Sequence, residues 1–315
     1  MLKSEEHFLK IINEVFPNAH PHMLVGRGDD CAVLNCPERM CLTSDLFLED
    51  IHFRLRYFSP EDVGHKALAV NLSDLAANGA GPLGFNFNLI WPEYLDESFC
   101  RRMLQGMARL ADQFDLALTG GDLSFGNCLG MAITIWGSSP EKDLLRAKCL
   151  PGDVIFIVGE IGLSRCGLML LEENESEADR YPLSTAGHLR PQPLVNEGRM
   201  LAEQGLVKGL MDVSDGLARD LSRFLAPGTG INIDPPLALN PEVTACCRAM
   251  DVDPVVFSLL GGEDYVLLGG CAADDWLRVQ AALPSAWKLG RVVDKEGIYI
   301  EGQKTCLKGF DHFDK

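Results

Sequence analysis

Carboxylates gather in six short clusters beside glycine or serine: GRGDD (Gly26–Asp30), TSD (Thr43–Asp45), NLSD (Asn71–Asp74), TGGD (Thr119–Asp122), MDVSDG (Met211–Gly216) and GGED (Gly261–Asp264). Aspartate supplies hard oxygen ligands, and magnesium takes carboxylate, phosphate and water oxygens in a near-octahedron. Glycine lets the backbone turn tightly and lets a ligand approach it. Taken singly, each cluster is a plain surface turn before it is anything else, because Asp beside Gly is ordinary turn chemistry. Six of them, four following apolar runs, raise a second reading: a shared oxygen-rich site built where strands end.

Those clusters need elements to carry them. Met40–Thr43, Met131–Trp136, Val154–Val158, Leu210–Val213, Gly230–Ile233, Tyr265–Leu268 and Gly297–Ile300 have the length and apolar content of strands. Helical spacing of apolar residues runs through the N-terminal segment (Phe8, Ile11, Ile12, Val15), 62–78, 98–115, 163–173 and 194–204. The stretch SEADRYPLSTAG reads as a polar loop, and Arg190-Pro191-Gln192-Pro193 as a rigid bend. In KALAVNLSDLAANGAGP, Asn71, Asp74 and Asn78 share one helix face opposite Leu68, Leu72 and Leu75. That face is either a metal-holding one or a solvated one. A break at Ser138-Ser139-Pro140 and a turn at Pro151-Gly152 divide the chain into 1–140 and 150–315. Strands and helices mix in both halves, so the expected class is α/β (α+β).

Charge narrows the ligands. Among 315 residues, 28 Lys and Arg stand against 45 Asp and Glu, so 28 − 45 gives a net charge of −17. A phosphate backbone repels such a chain, which argues against nucleic acid as a partner. A phosphorylated small molecule then needs positive charge from elsewhere, and metal ions are the obvious source. No apolar run reaches the length of a membrane span, and the N-terminal segment is amphipathic where a signal peptide is continuously apolar. The expectation is a cytoplasmic protein with no membrane partner. The 11 cysteines are scattered without a CxxC, so they read as small buried hydrophobes, with a redox or metal role for Cys31, Cys36 and Cys41 as the alternative. A Walker loop, a complete GxGxxG, HExxH, GxSxG and a kinase-type catalytic loop are all absent from the sequence.

In their order, GRGDDCAVL, SDLFLEDIHF, KALAVNLSDLAANGA, TGGD, MDVSDGLARDL, GGEDYVLL and the tail KGFDHF resemble the thiamine-monophosphate kinase family, within the superfamily of aminoimidazole-ribonucleotide synthetase and selenophosphate synthetase. The resemblance runs from Gly26 to about Phe313. It implies two α/β domains, the N-terminal one pairing with its twin in a homodimer. It also implies transfer of phosphate from ATP to thiamine monophosphate, with several magnesium ions. Asp30, Thr43, Ser44, Asp45, Asp74, Asp122, Asp212 and Asp215 would surround metal and phosphates. Gly121, Asp122, Arg146 and Ser214 would contact ATP, and His52, Glu263 and Phe310 would face the thiamine moiety. Two assignments have a plainer alternative: Arg146 as a surface-loop arginine, and His52 as a packed structural histidine.

The sequence departs from the family pattern at Asp50, where Gly is usual, at Leu163, where Asp is usual, at Leu123-Ser124, where two Thr are common, and at Leu194, where Arg is usual. None of these removes a proposed metal carboxylate. The nucleophile would be a phosphate oxygen already ionised near neutral pH, so no general base is expected and the carboxylates would act as metal ligands. The rivals are another ATP-dependent member of the superfamily and a non-catalytic nucleotide-binding module. Selenophosphate synthetase fits poorly, because the first cysteine, Cys31, sits inside a metal motif.

Overall fold

The structure is a computed structural model and describes residues 4–173, 175–305 and 307. Contacts divide the chain into two compact units, one made of Met1–Leu75 with Ala80–Ser139, the other of Ala76–Gly79 with Pro140–Lys315. The first unit runs α1 (Glu5–Val15), β1 (Met23–Val25), β2 (Val33–Leu34), β3 (Met40–Leu48), α2 (Pro60–Ala77), β4 (Gly81–Trp91), α3 (Glu97–Gln113), β5 (Ala117–Gly120), β6 (Leu123–Phe125) and β7 (Gly130–Ser138). Among the described residues, β3-β7-β4-β5 form one sheet, with β6 following β5 along β4. The register places Thr43, Asp45, Ile133, Ile135, Phe85 and Phe87 on one face and Leu42, Ser44, Leu46, Thr134 and Asn86 on the other. Phe85, Phe87, Ile133 and Ile135 are buried, while Leu42 and Leu46 are about three-fifths exposed, at 60% and 61%.

The helix α2 is buried nearly all round, with Leu68, Leu72 and Leu75 joined by buried Lys66, Asn71 and Ser73. The solvated-face reading of its polar side therefore fails at Asn71, which is 1% exposed. Gly64 and Gly106 let α2 and α3 approach: a Cβ at Gly64 would lie 1.9 Å from the Met103 carbonyl, and one at Gly106 2.1 Å from that of Glu61.

The second unit runs β8 (Val154–Val158), α4 (Leu163–Glu173), a 3₁₀ turn (Glu175–Arg180), α5 (Pro182–Leu189), α6 (Val195–Gln204), β9 (Val207–Asp212), α7 (Leu217–Phe224), β10 (Gly230–Ile233), α8 (Pro241–Ala249), α9 (Pro254–Leu260), β11 (Leu267–Cys271), α10 (Trp276–Ala282), β12 (Ala286–Val293), β13 (Gly297–Ile300) and β14 (Gln303–Thr305). Among the described residues the strands form one sheet in the order β14-β13-β10-β12-β8-β11-β9. Every residue of β8 is buried, as its unbroken apolar run requires. The expected loop SEADRYPLSTAG is instead helical. Pro182 starts α5, and the Glu242 carboxylate on α8 caps it by accepting the Leu183 and Ser184 N–H at 3.2 and 2.8 Å. That cap comes from 58 residues away for Ser184, so no local pattern announces it.

Candidate functional site

In the first unit the acidic residues meet across β3 and α2. The Thr43 hydroxyl donates to Asp74 Oδ2 at 2.5 Å, and the Asp45 N–H donates to Asn71 Oδ1 at 3.1 Å. Because β3 bonds β7 along its other edge, the helix completes this edge through two side chains three residues apart. Burial, and then the charge of Asp74, push the Asp45 carboxyl up to about 6. Two crowded carboxylates beside a hydroxyl are a donor set that a hard divalent cation would relieve. Ser44 points the other way: its hydroxyl bonds the Ile133 carbonyl at 3.0 Å and the Thr134 hydroxyl at 2.9 Å. The pleat thus separates the Ser44 side chain from Thr43 and Asp45. TSD lies inside a strand and NLSD inside a helix, so the pattern of turns at strand ends does not extend to them.

TGGD does lie at a strand end. Gly121 has φ +150°, and a Cβ there would fall 1.8 Å from the Phe87 carbonyl oxygen. The kink ends β5 and starts β6, and the Asp122 carbonyl accepts the Leu89 N–H at 2.9 Å. The Asp122 side chain is exposed, as is that of Asp30. The Asp30 loop is tied down by Arg27, whose guanidinium bonds the Leu118 carbonyl at 2.6 Å, the Phe16 carbonyl at 2.8 Å and Asn13 at 3.0 Å. Burial lowers the pKa of that guanidinium.

His52 sits on a tight turn closed by its own N–H to the Leu48 carbonyl at 2.9 Å and by Asp50 N–H to the Phe53 carbonyl at 2.8 Å. Its Nδ1 accepts the Leu48 N–H at 3.0 Å, and its ring stacks on Phe47 at 5.9 Å. The ring is half-buried, so packing holds it while part of it faces outward. Asp50 has φ +63°, which explains why glycine is usual at this point. Behind the turn, the Tyr94 hydroxyl donates to Glu49, which also accepts the Leu129 N–H at 2.8 Å.

In the second unit Asp212 ends β9, buried, and the chain turns through Ser214-Asp215-Gly216 into α7. The buried Asp220 carboxylate accepts the Ser214 and Asp215 N–H at 3.0 and 3.1 Å, and burial pushes its pKa up to about 6. The Asp215 side chain is held by Arg223 at 2.6 Å, with Arg219 at 3.8 Å. As a metal ligand it would have to exchange these guanidinium contacts. GGED packs onto the same turn: the Glu263 N–H donates to the Ser214 carbonyl at 2.7 Å and Tyr265 N–H to that of Val213 at 2.9 Å. Glu263 and Tyr265 have φ +60° and +49°, so β11 starts only at Leu267, two residues after the expected Tyr265. Glu263 Oε2 lies 3.5 Å from Nδ1 of buried His188.

Asp264 is half-buried and caps α4 by accepting Gly162 and Ser164 N–H at 2.8 and 3.1 Å; desolvation of its carboxylate pushes its pKa up to about 7. Leu163 therefore opens a helix whose cap comes from GGED. Leu194 is the N-cap position of α6, its carbonyl accepting the Gly198 N–H at 2.9 Å. Arg146 lies exposed in the loop before β8, next to Ala147, whose N–H donates to the Phe224 carbonyl at 2.8 Å. Phe310 lies outside the described residues.

Each unit thus assembles its own acids. Among the described residues, no group of three or more His, Cys, Asp and Glu is placed to hold a metal ion. Asp264 and Arg27 lie inside GGED and GRGDD but received no role there, and Asp220 and Glu49 lie outside the six clusters; all four grip backbone. The one signal was an Asp in the first turn of the helix after MDVSDG. Of the cysteines, Cys100, Cys149, Cys166, Cys246, Cys247 and Cys271 are buried, whereas Cys31, Cys36 and Cys128 are exposed.

Comparison with known proteins adds a family frame. Residues 28–138 match the model of the AIR synthase related protein, N-terminal domain, and residues 151–303 that of its C-terminal domain. The chain is 34% identical to the thiamine-monophosphate kinase of Bacillus subtilis (strain 168), over 96% of this chain and 98% of that one. It superposes on the crystal structure of thiamine-monophosphate kinase from Stenotrophomonas maltophilia K279a with a TM-score of 0.84 and 29% identity, covering 95% and 96% of the two chains. On AaThiL complexed with AMPPCP and TMP it superposes with a TM-score of 0.77 and 29% identity, covering 98% and 97%.

Proposed function

The chain belongs to the thiamine-monophosphate kinase family, and on that premise we infer that its reaction is the ATP-dependent phosphorylation of thiamine monophosphate, giving thiamine diphosphate and ADP. The observation that carries this reading to the residues is the crowded Asp45–Asp74 pair with Thr43 bonded to Asp74. A protein that only packs its core gains nothing from a carboxylate whose charge burial disfavours.

Magnesium fits that pair, and Asp45 and Asp74 would hold it, with Asp30 and Asp122 as further candidates in the same unit and Asp212 and Asp215 as separate candidates in the second; bound magnesium would offset phosphate charge. The chain's own residues supply the rest. Gly121 gives the backbone a bare surface beside Asp122, where a Cβ would not fit. Ser214, in a turn pinned by its neighbours, and exposed Arg146 are the groups for the ATP phosphates. The His52 ring and Glu263 would orient the thiamine moiety. The acceptor phosphate is already ionised near neutral pH, so no side chain needs to take a proton.

The family reading extends to a homodimer in the cytoplasm. Exposed Leu42 and Leu46 on β3, with Ile90 on β4, share one sheet face and support pairing of this unit with a second copy. Among the described residues no helix is long and apolar enough to cross a membrane.

The test is ADP release with ATP, magnesium and a panel of phosphorylated and unphosphorylated small molecules. Release with thiamine monophosphate alone supports the reading. Release with another acceptor only, or nucleotide binding without release, overturns it.

A further inference from the structure

The turn after β9 is held by a residue that the reaction does not use directly. Asp220 lies one turn into α7 and is fully buried. A single oxygen, Oδ2, accepts the N–H of both Ser214 and Asp215, at 3.0 and 3.1 Å. Its other oxygen, Oδ1, faces Arg223 Nη1 at 3.4 Å, and the same nitrogen reaches Asp215 Oδ2 at 2.6 Å. Asp220 therefore grips the turn twice, by backbone and, through Arg223, by the Asp215 side chain. Two successive amides aimed at one oxygen point into the helix. The Ser214 carbonyl is left to receive the Glu263 N–H at 2.7 Å, which registers GGED on the turn. A buried charge is costly, and a well-packed apolar residue would fill this space at lower cost, so packing alone does not account for a carboxylate here.

We propose that Asp220 is the positioning residue of the Ser214–Asp215 turn, holding it in the form that receives ATP. This rests on the reaction inferred above. Asp220 touches neither substrate nor reacting atoms in this account; it acts through Ser214, Asp215 and Arg223.

The experiment compares the full-length wild type with Asp220→Ala, Asp220→Asn and Arg223→Met by amide hydrogen exchange over residues 211–217 and by separate KM values for the two substrates. In Asp220→Ala the segment exchanges about tenfold faster or more, as loss of bonds to a charged acceptor implies. Exchange in β8 stays at the wild-type rate. KM for ATP rises about tenfold while that for thiamine monophosphate stays within about twofold. Asp220→Asn, which keeps an accepting oxygen, recovers most of both effects. Arg223→Met leaves the amides protected and raises KM for ATP about two- to threefold, the effect of a partly exposed ion pair.

Unchanged exchange over 211–217 in Asp220→Ala overturns the proposal, as does faster exchange with an unchanged KM for ATP, or a parallel rise in both KM values. If Asp220→Ala does not fold, Arg223→Met decides, and wild-type KM for ATP in that variant counts against the proposal. If the wild type releases no ADP with thiamine monophosphate, the inferred reaction fails, while the exchange data still report on the turn.

Discussion

Replacing Asp45 with asparagine should make the metal-free protein more stable and the enzyme inactive. The Asp45 carboxyl is pushed up to about 6 in the folded chain, against an ordinary value of 3.8, because burial and then the Asp74 charge disfavour its anion. Between those values the folded state holds a proton that the unfolded state has released. Stability therefore falls as pH rises from about 4 to about 6, and the whole cost stands at neutral pH. A shift of that size corresponds to about 3 kcal/mol. Asp45→Asn keeps the shape and lifts the charge, so metal-free protein at pH 7.5 should melt roughly 5–10 °C above wild type.

The difference between the two proteins should vanish near pH 4, grow up to about pH 6 and stay level above it. Magnesium should raise the wild-type melting temperature at pH 7.5 and leave that of Asp45→Asn nearly unmoved, with turnover lost in the variant. Thermal melts in chelator, in magnesium and across pH 4–8 read all of this. The reasoning is refuted if metal-free Asp45→Asn melts at or below wild type at pH 7.5. An equal magnesium gain in both proteins refutes it too.

Gly121→Ala should cost about 3 kcal/mol or more and abolish turnover, since its Cβ would lie 1.8 Å from the Phe87 carbonyl oxygen at a φ of +150°; a urea midpoint measures the loss. Asp50→Gly should relieve the left-handed strain at φ +63° and leave stability level or raised by up to about 1 kcal/mol, by the same assay, with turnover retained. Leu42→Asp with Leu46→Asp should leave each chain folded but shift it to the monomer size on a sizing column, because both side chains lie exposed on one sheet face. An unchanged elution volume would place the pairing surface elsewhere.

Much of the framework was legible in the sequence because periodicity is local. The span of α4 and the strands Gly230–Ile233 and Gly297–Ile300 coincide with the apolar patterns that announce them. The acidic clusters were legible as chemistry, since Asp beside Gly or Ser is visible without any fold. The α5 helix was not, because its cap is supplied by Glu242, and its own residues are polar enough to read as loop. The polar stripe Asn71-Asp74-Asn78 was visible as a stripe. That Asn71 and Asp74 turn toward β3 instead of water follows from the burial of α2 on nearly every side.

The division of labour within TSD shows the same limit at single-residue scale. Three neighbouring oxygen-bearing residues look equivalent in a motif, but a strand's pleat sends Thr43 and Asp45 to one face and Ser44 to the other. By itself, then, the sequence determined which residue types are present, how they are spaced and which family they belong to, because those properties need only neighbours along the chain. Tertiary structure alone decided which carboxylates bear a cost, which are already held by arginine, and which grip backbone out of sight. Those outcomes depend on desolvation and on partners brought in from distant segments, such as Asp74 beside Asp45 and Asp264 on the amides of α4.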